Sequence, residues 1–279
     1  MSQIHIVVDS CAQVSSEMIE MYPNLHTVSL KVRIGDKEWA EEKLSTAELF
    51  ANAKEMKRHP QTSQPAPGDF IAICKPLVDE GKDIIIITVS GGLSGTVQGA
   101  RTVANSLDGK RIHVVDSGTA SIGMVQVTKA ALEMAADGMK VLDIVAKLEA
   151  MIAATHTFIL VDTLEYLYKG GRIGGAAALF GTILQIRPVL HLVEGKVAVL
   201  DKVRTKQRAI TRMLEEVQKY SNLEYIGIGT VEAPAEGEKI TARLQELYPS
   251  TSILPAAIGS ALGTHLGEGM IGIVIQEKI

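Results

Sequence analysis

The stretch KDIIIITVSGGLSGT, residues 82–96, decides how the chain is read. Ile84-Ile85-Ile86-Ile87-Thr88-Val89 is β-branched throughout and too short for a buried helix, which predicts a central strand covered on both faces. Ser90-Gly91-Gly92 ends it, because paired glycines take backbone angles that side chains forbid. Past Ser94-Gly95-Thr96 a helical pattern runs to residue 107. A turn between a strand and a helix start offers free N–H groups and the positive end of the helix dipole, and so suits an anion. Neither GxxxxGK[ST] nor GxGxxG is present, so the turn holds no fixed cation and neither nucleotide fingerprint is met. Hydroxyls and N–H groups alone suit a small anion such as a carboxylate. An ordinary turn capped by serine accounts for the same residues.

The flanking segments repeat the alternation. Residues 4–8 predict a strand ending at Asp9-Ser10-Cys11, and residues 111–115 another ending at Asp116-Ser117-Gly118. Helices are predicted over 70–80, 121–138 and 141–154, and Ser45 and Glu48 are spaced as a capping box. Residues 26–34 alternate as one strand. Strand, loop and helix in turn imply a parallel sheet with helices on both sides, whose ligands collect at the carboxyl edge of the strands. The loops at Asp9, Ser90 and Asp116 belong to that edge. Thr62 lies in the turn QTSQPAPGD (61–69) and is placed beside them without a strand leading into it.

The second half opens with a strand over 158–161 and the basic, glycine-rich LEYLYKGGRIGG (164–175), where Lys169 and Arg172 offer phosphate contacts. A small-residue helix over 176–185 follows, then a hairpin, 188–193 with 196–203, around Glu194-Gly195. Helices over 205–220 and 234–248 alternate with strands over 225–231, 252–255 and 270–276. His265 suits a base, a phosphate contact, an orienting group or a satisfied loop histidine. The expected architecture is two α/β domains, 1–156 with a mostly parallel sheet flanked by helices and 157–279 with a mixed sheet and helices.

Composition narrows the function. With 279 residues, a net charge of -4 and 4% aromatics, the chain offers neither the positive charge nor the stacking platforms of a nucleic-acid binder. Pockets must be built from aliphatic side chains, which favours a flexible aliphatic ligand. The two cysteines, Cys11 and Cys74, have no CxxC spacing, so neither a zinc ribbon nor a disulfide framework is expected, and no metal or cofactor is called for. A strand begins within four residues of the start, and no apolar run spans a bilayer. A soluble, cytoplasmic protein without stable membrane insertion is expected.

Taken together, the loops resemble the DegV family across nearly the whole chain. The marks are IVVDS (6–10), TSQP (62–65), SGGLSGT (90–96), DTLEYLYKGGRIGGAAALFGTILQIRPVL (162–190), Arg204-Thr205 and GTHLGEG (263–269). The resemblance implies a lipid-binding protein, not itself an enzyme, that holds one long-chain fatty acid in an apolar tunnel. The family's carboxylate-binding hydroxyls fall on Thr62 and Ser94. Arg172 and His265 fall near the headgroup and the partner surface. In members that serve a fatty acid kinase, a separate ATP-binding subunit converts the acid to an acyl phosphate for phospholipid synthesis. Three departures stand out: Cys11 replaces the usual Thr, Ala66 the usual Ser, and His265-Leu266-Gly267-Glu268-Gly269 the usual HTGPG. The last removes a hydroxyl and adds a carboxylate beside His265, and bears on the kinase partner more than on lipid binding. The rival expectation is a hydrolase or phosphotransferase on a small acyl or phosphoryl substrate, with Ser94 as nucleophile, His265 as base and Asp9 or Asp116 orienting it. GLSGT is not the GxSxG nucleophile elbow.

Overall fold

Four isoleucines in a row form a strand because both of its sides are covered. Ile84 and Ile86 meet Phe70, Ala100 and Val103, while Ile85 and Ile87 meet Met124 and Val127. Successive side chains of a strand point to opposite faces, so a strand between two helix layers is apolar at every position. The computed structural model describes residues 3–181 and 186–279.

The first half holds β1 (Ile4–Asp9), β2 (Leu25–Val28), β3 (Lys31–Ile34), β4 (Lys37–Ala40), β5 (Gln61–Ser63), β6 (Asp83–Thr88) and β7 (Ile112–Asp116). The second holds β8 (Thr155–Leu160), β9 (Arg187–Val193), β10 (Lys196–Val203), β11 (Leu223–Thr230), β12 (Ser252–Ala257) and β13 (Ile271–Glu277). The first sheet has the order β2-β1-β6-β7 and is parallel throughout. Helices Pro67–Asp79 and Thr96–Leu107 supply one of its covers, helices Ile122–Ala136 and Val141–Ala153 the other. The second sheet, β10-β9-β8-β13-β11-β12, is mixed: β11 and β12 are parallel and its other pairs antiparallel. The expected α/β class, with one parallel and one mixed sheet, is what the chain adopts.

A third, antiparallel sheet, β4-β3-β5, departs from expectation. Residues 26–34 are not one strand: Val28 ends β2 in the parallel sheet, and β3 starts at Lys31 in the small one. Between them the N–H of Leu30 donates to Ser10 Oγ and its carbonyl accepts from Glu41 N, which takes both groups out of any ladder. Thr62 is likewise not in a loop but on β5, opposite Val32 of β3. Of the helix expected over 176–185, the described part is a 3-10 turn, Gly174–Leu179, and residues 182–185 lie outside the described residues.

Candidate functional site

In the first sheet the chain leaves β1 toward β2 on one side and returns through β6 toward β7 on the other, so the β1/β6 junction is a topological switch point. Asp9 joins the two carboxyl ends. Its Oδ2 accepts from Val89 N at 2.6 Å and its Oδ1 from Cys11 N at 3.0 Å. Burial pushes its pKa up to about 7, against those two bonds. Asp116 accepts from the N–H groups of Gly91 and Gly118 at the neighbouring strand end.

The Ser90–Thr96 turn is gripped from several sides. Ser90 Oγ donates to Gly195 O at 2.8 Å, so the β9–β10 hairpin tip rests on it. Arg172 Nε donates to Leu93 O at 3.0 Å and its Nη1 to Gly170 O at 2.6 Å, tying the turn to the KGGRI segment. Gln64 of TSQP lies against Gly95, where an added Cβ would come within 2.4 Å of Gln64 Oε1. This contact brings the Thr62 and Ser94 segments side by side. Ser94 Oγ is 2.9 Å from Thr96 Oγ1.

Helix Ser260–Leu266 delivers His265, whose Nε2 is 2.7 Å from Thr62 Oγ1. Glu41 fixes that helix: buried, it accepts from Ala261 N at 3.2 Å and from Gln13 Nε2 at 3.1 Å, as well as from Ser10 Oγ. Burial raises the Glu41 pKa. The His265 ring also lies on Gly170, where a Cβ would stand 2.1 Å from Nδ1. Burial above all, then the positive charge of Arg172 and then His59, holds the His265 pKa down at about 3. The ring is therefore neutral near pH 7.

Thr62, Ser94, Arg172 and His265 border one interior cavity. The rest of its wall is mostly aliphatic, with Leu93, Ile159, Leu192, Val197, Ile258 and Met270 among its members. Thr62, Arg172 and His265 also border an outer depression with Arg33, Gln61 and Lys169, so they stand between the interior and the surface. Lys169 itself pairs with Glu165 at 2.5 Å and does not enter the cavity. Glu268 of the altered loop borders a separate outer groove with Lys54, Arg58 and Tyr166. A Ser94–His265–Asp triad is not assembled. His265 Nε2 is engaged by Thr62, and both Asp9 and Asp116 accept backbone N–H groups.

Sequence reasoning missed the floor of the cavity. It is formed on the second sheet, where Gly229 of β11 and Gly272 of β13 face each other in register and both border the space. Glycine inside a strand was the available signal, because it marks a place where something else comes close.

The sequence profile of the DegV family, described as one of uncharacterised proteins, matches residues 3–278. The chain belongs to the DegV family. A DegV domain-containing protein of Listeria innocua is 34% identical over 281 residues, covering 99% of each chain. Among solved structures, DegV of Bacillus subtilis, a fatty acid binding protein, superposes with a TM-score of 0.88 at 29% identity and full coverage of both chains. A DegV family protein from Thermus thermophilus, described by its fatty acid binding, gives 0.89 at 28% identity with the same coverage. The α/β arrangement described above, with its parallel sheet and its mixed sheet flanked by helices, is thus the DegV fold. Among the described residues of this DegV protein, no helix is long and apolar enough to cross a membrane, and no group of three or more His, Cys, Asp or Glu is placed to hold a metal ion.

Proposed function

We propose that this protein binds one long-chain fatty acid, its tail in the aliphatic cavity and its carboxylate on the hydroxyls of Thr62 and Ser94, and presents it to a separate ATP-binding kinase subunit. The observation that carries the proposal is the shared cavity: two hydroxyls from segments far apart in sequence border the same mostly apolar space. Each buried methylene contributes about 0.8 kcal/mol, so roughly sixteen carbons contribute on the order of 10 kcal/mol before ordering costs. The carboxylate loses its hydration on entry and needs hydrogen bonds in exchange. Each charge-assisted bond supplies about 1.5–3 kcal/mol.

The neutral His265 serves this arrangement as a positioning group. With its proton on Nε2 it donates to Thr62 Oγ1, and the Thr62 hydrogen is left to donate to the carboxylate. Arg172 adds positive charge beside the headgroup while holding Leu93 and Gly170. The outer depression next to these residues is the route by which ATP on a partner would reach the acid, giving an acyl phosphate for phospholipid synthesis.

Titration with palmitate tests the headgroup assignment. Thr62→Ala and Ser94→Ala should each weaken binding roughly tenfold to a hundredfold, and the double variant more. Equal affinity in all four proteins rejects it.

A further inference from the structure

Ser121 precedes helix Ile122–Ala136 and is 95% buried by its surroundings, with 5% of its surface exposed, yet it borders the cavity. Its N–H donates to Cys11 O at 2.9 Å and its carbonyl accepts from Val125 N at 2.8 Å. Its Oγ has no hydrogen-bond partner among the described residues. Ser15, Ser45 and Thr205, by contrast, cap their helices with their side chains. An unpaired hydroxyl on a mostly apolar wall can hydrogen-bond a ligand atom that comes beside it. The helix behind it is fifteen residues long and its positive end faces the same spot.

A second hydroxyl stands on the same cavity. Thr157 Oγ1 is 3.0 Å from Thr119 Oγ1, and whichever of the two donates, the other keeps its hydrogen. The neighbouring wall is aliphatic, with Ile122, Ile159 and Val274. Among the described residues that border the cavity, Arg172 alone carries a full charge, and it is engaged at the headgroup end. A second carboxylate would therefore be buried without a counter-charge, whereas a neutral oxygen would not.

We infer that Ser121 marks a second polar subsite along the tunnel, one that hydrogen-bonds an oxygen carried on the hydrocarbon chain. The cavity then favours oxygenated fatty acids, with a hydroxyl or keto group lying against Ser121 Oγ. This rests on the fatty acid function proposed above, and the experiment separates the two.

Stearate and a series of hydroxystearates, the hydroxyl moved along the chain, are titrated into the full-length protein, Ser121→Ala and Ser121→Gly. Ser121 has φ 49°, a backbone conformation that glycine adopts freely, so the glycine variant folds even if the alanine variant is impaired. One positional isomer should bind the unmodified protein at least as tightly as stearate, and lose about tenfold relative to stearate in both variants. If stearate binds but no isomer's affinity relative to stearate changes when the Ser121 hydroxyl is removed, the subsite is overturned and the fatty acid function stands. If stearate itself fails to bind, the fatty acid function falls and the subsite with it.

Discussion

Thr62 Oγ1 and His265 Nε2 are 2.7 Å apart although 203 positions separate the two residues in the chain. One sits on an edge strand of the small third sheet, the other on the helix that Glu41 holds by Ala261. Burial above all, then Arg172 and His59, keeps this imidazole neutral by lowering its pKa to about 3. The unfolded chain takes up a proton at this residue near pH 6.5, which the folded chain resists. The stabilising contribution is therefore complete above about pH 6.5 and shrinks as the pH falls toward 3. Asp9 and Glu41, both raised by burial, act in the opposite sense and are common to the chains compared. His265→Gln should lose less stability between pH 7 and pH 5 than the unmodified protein, as read from urea midpoints. An equal loss in both chains contradicts a neutral buried His265.

Gly170 carries the other side of that ring. A methyl group there would meet His265 Nδ1 at 2.1 Å and the carbonyl of Tyr166 at 3.0 Å, so the ring has to move. Gly170→Ala should cost about 1–3 kcal/mol in a denaturant titration, as overpacking does. It should weaken fatty acid binding as well, because Thr62 loses its fixed partner. A variant with unchanged stability and affinity would show that the ring is not held there.

Asp9 uses both carboxylate oxygens to accept N–H groups, one from each side of the switch point. Asn offers one oxygen, and its amide hydrogens would face the remaining N–H. Asp9→Asn should therefore destabilise the protein by about 1–3 kcal/mol although it removes a buried ionisable group. Chemical unfolding at pH 7 checks this, and a stabilised variant would mean that burial of the charge outweighs the two bonds.

Presentation to a kinase makes a separate prediction. Acyl phosphate should form from palmitate and ATP when the ATP-binding subunit of a fatty acid kinase and this protein are combined, and not when this protein is incubated alone with ATP. Glu268 lies in the outer groove rather than on the cavity. Glu268→Pro, which restores the family's usual residue, should therefore change acyl phosphate yield without changing palmitate affinity. A change in affinity instead would assign Glu268 to the lipid site.

Much of this was legible in the residues. The isoleucine run named the central strand because alternation fails only where both faces are covered, and Glu194-Gly195 named the hairpin whose tip rests on Ser90. The Ser45–Glu48 capping box forms as read. What local pattern could not show was decided by distant partners. Residues 26–34 alternate without interruption, and it is Ser10 and Glu41 that capture Leu30 and divide them between two sheets. Thr62 becomes a strand residue only because Val32 lies beside it. Lys169 and Arg172 look alike in sequence, yet one pairs with Glu165 at the surface and the other turns inward to Leu93. The unpartnered hydroxyl of Ser121 is invisible until the cavity is known.

Mass spectrometry of lipid extracted from the purified protein tests the central claim most directly. One long-chain fatty acid per chain is predicted, retained through purification and depleted when Thr62 and Ser94 are both replaced by alanine. Protein that yields no fatty acid and takes none up from added palmitate would contradict it.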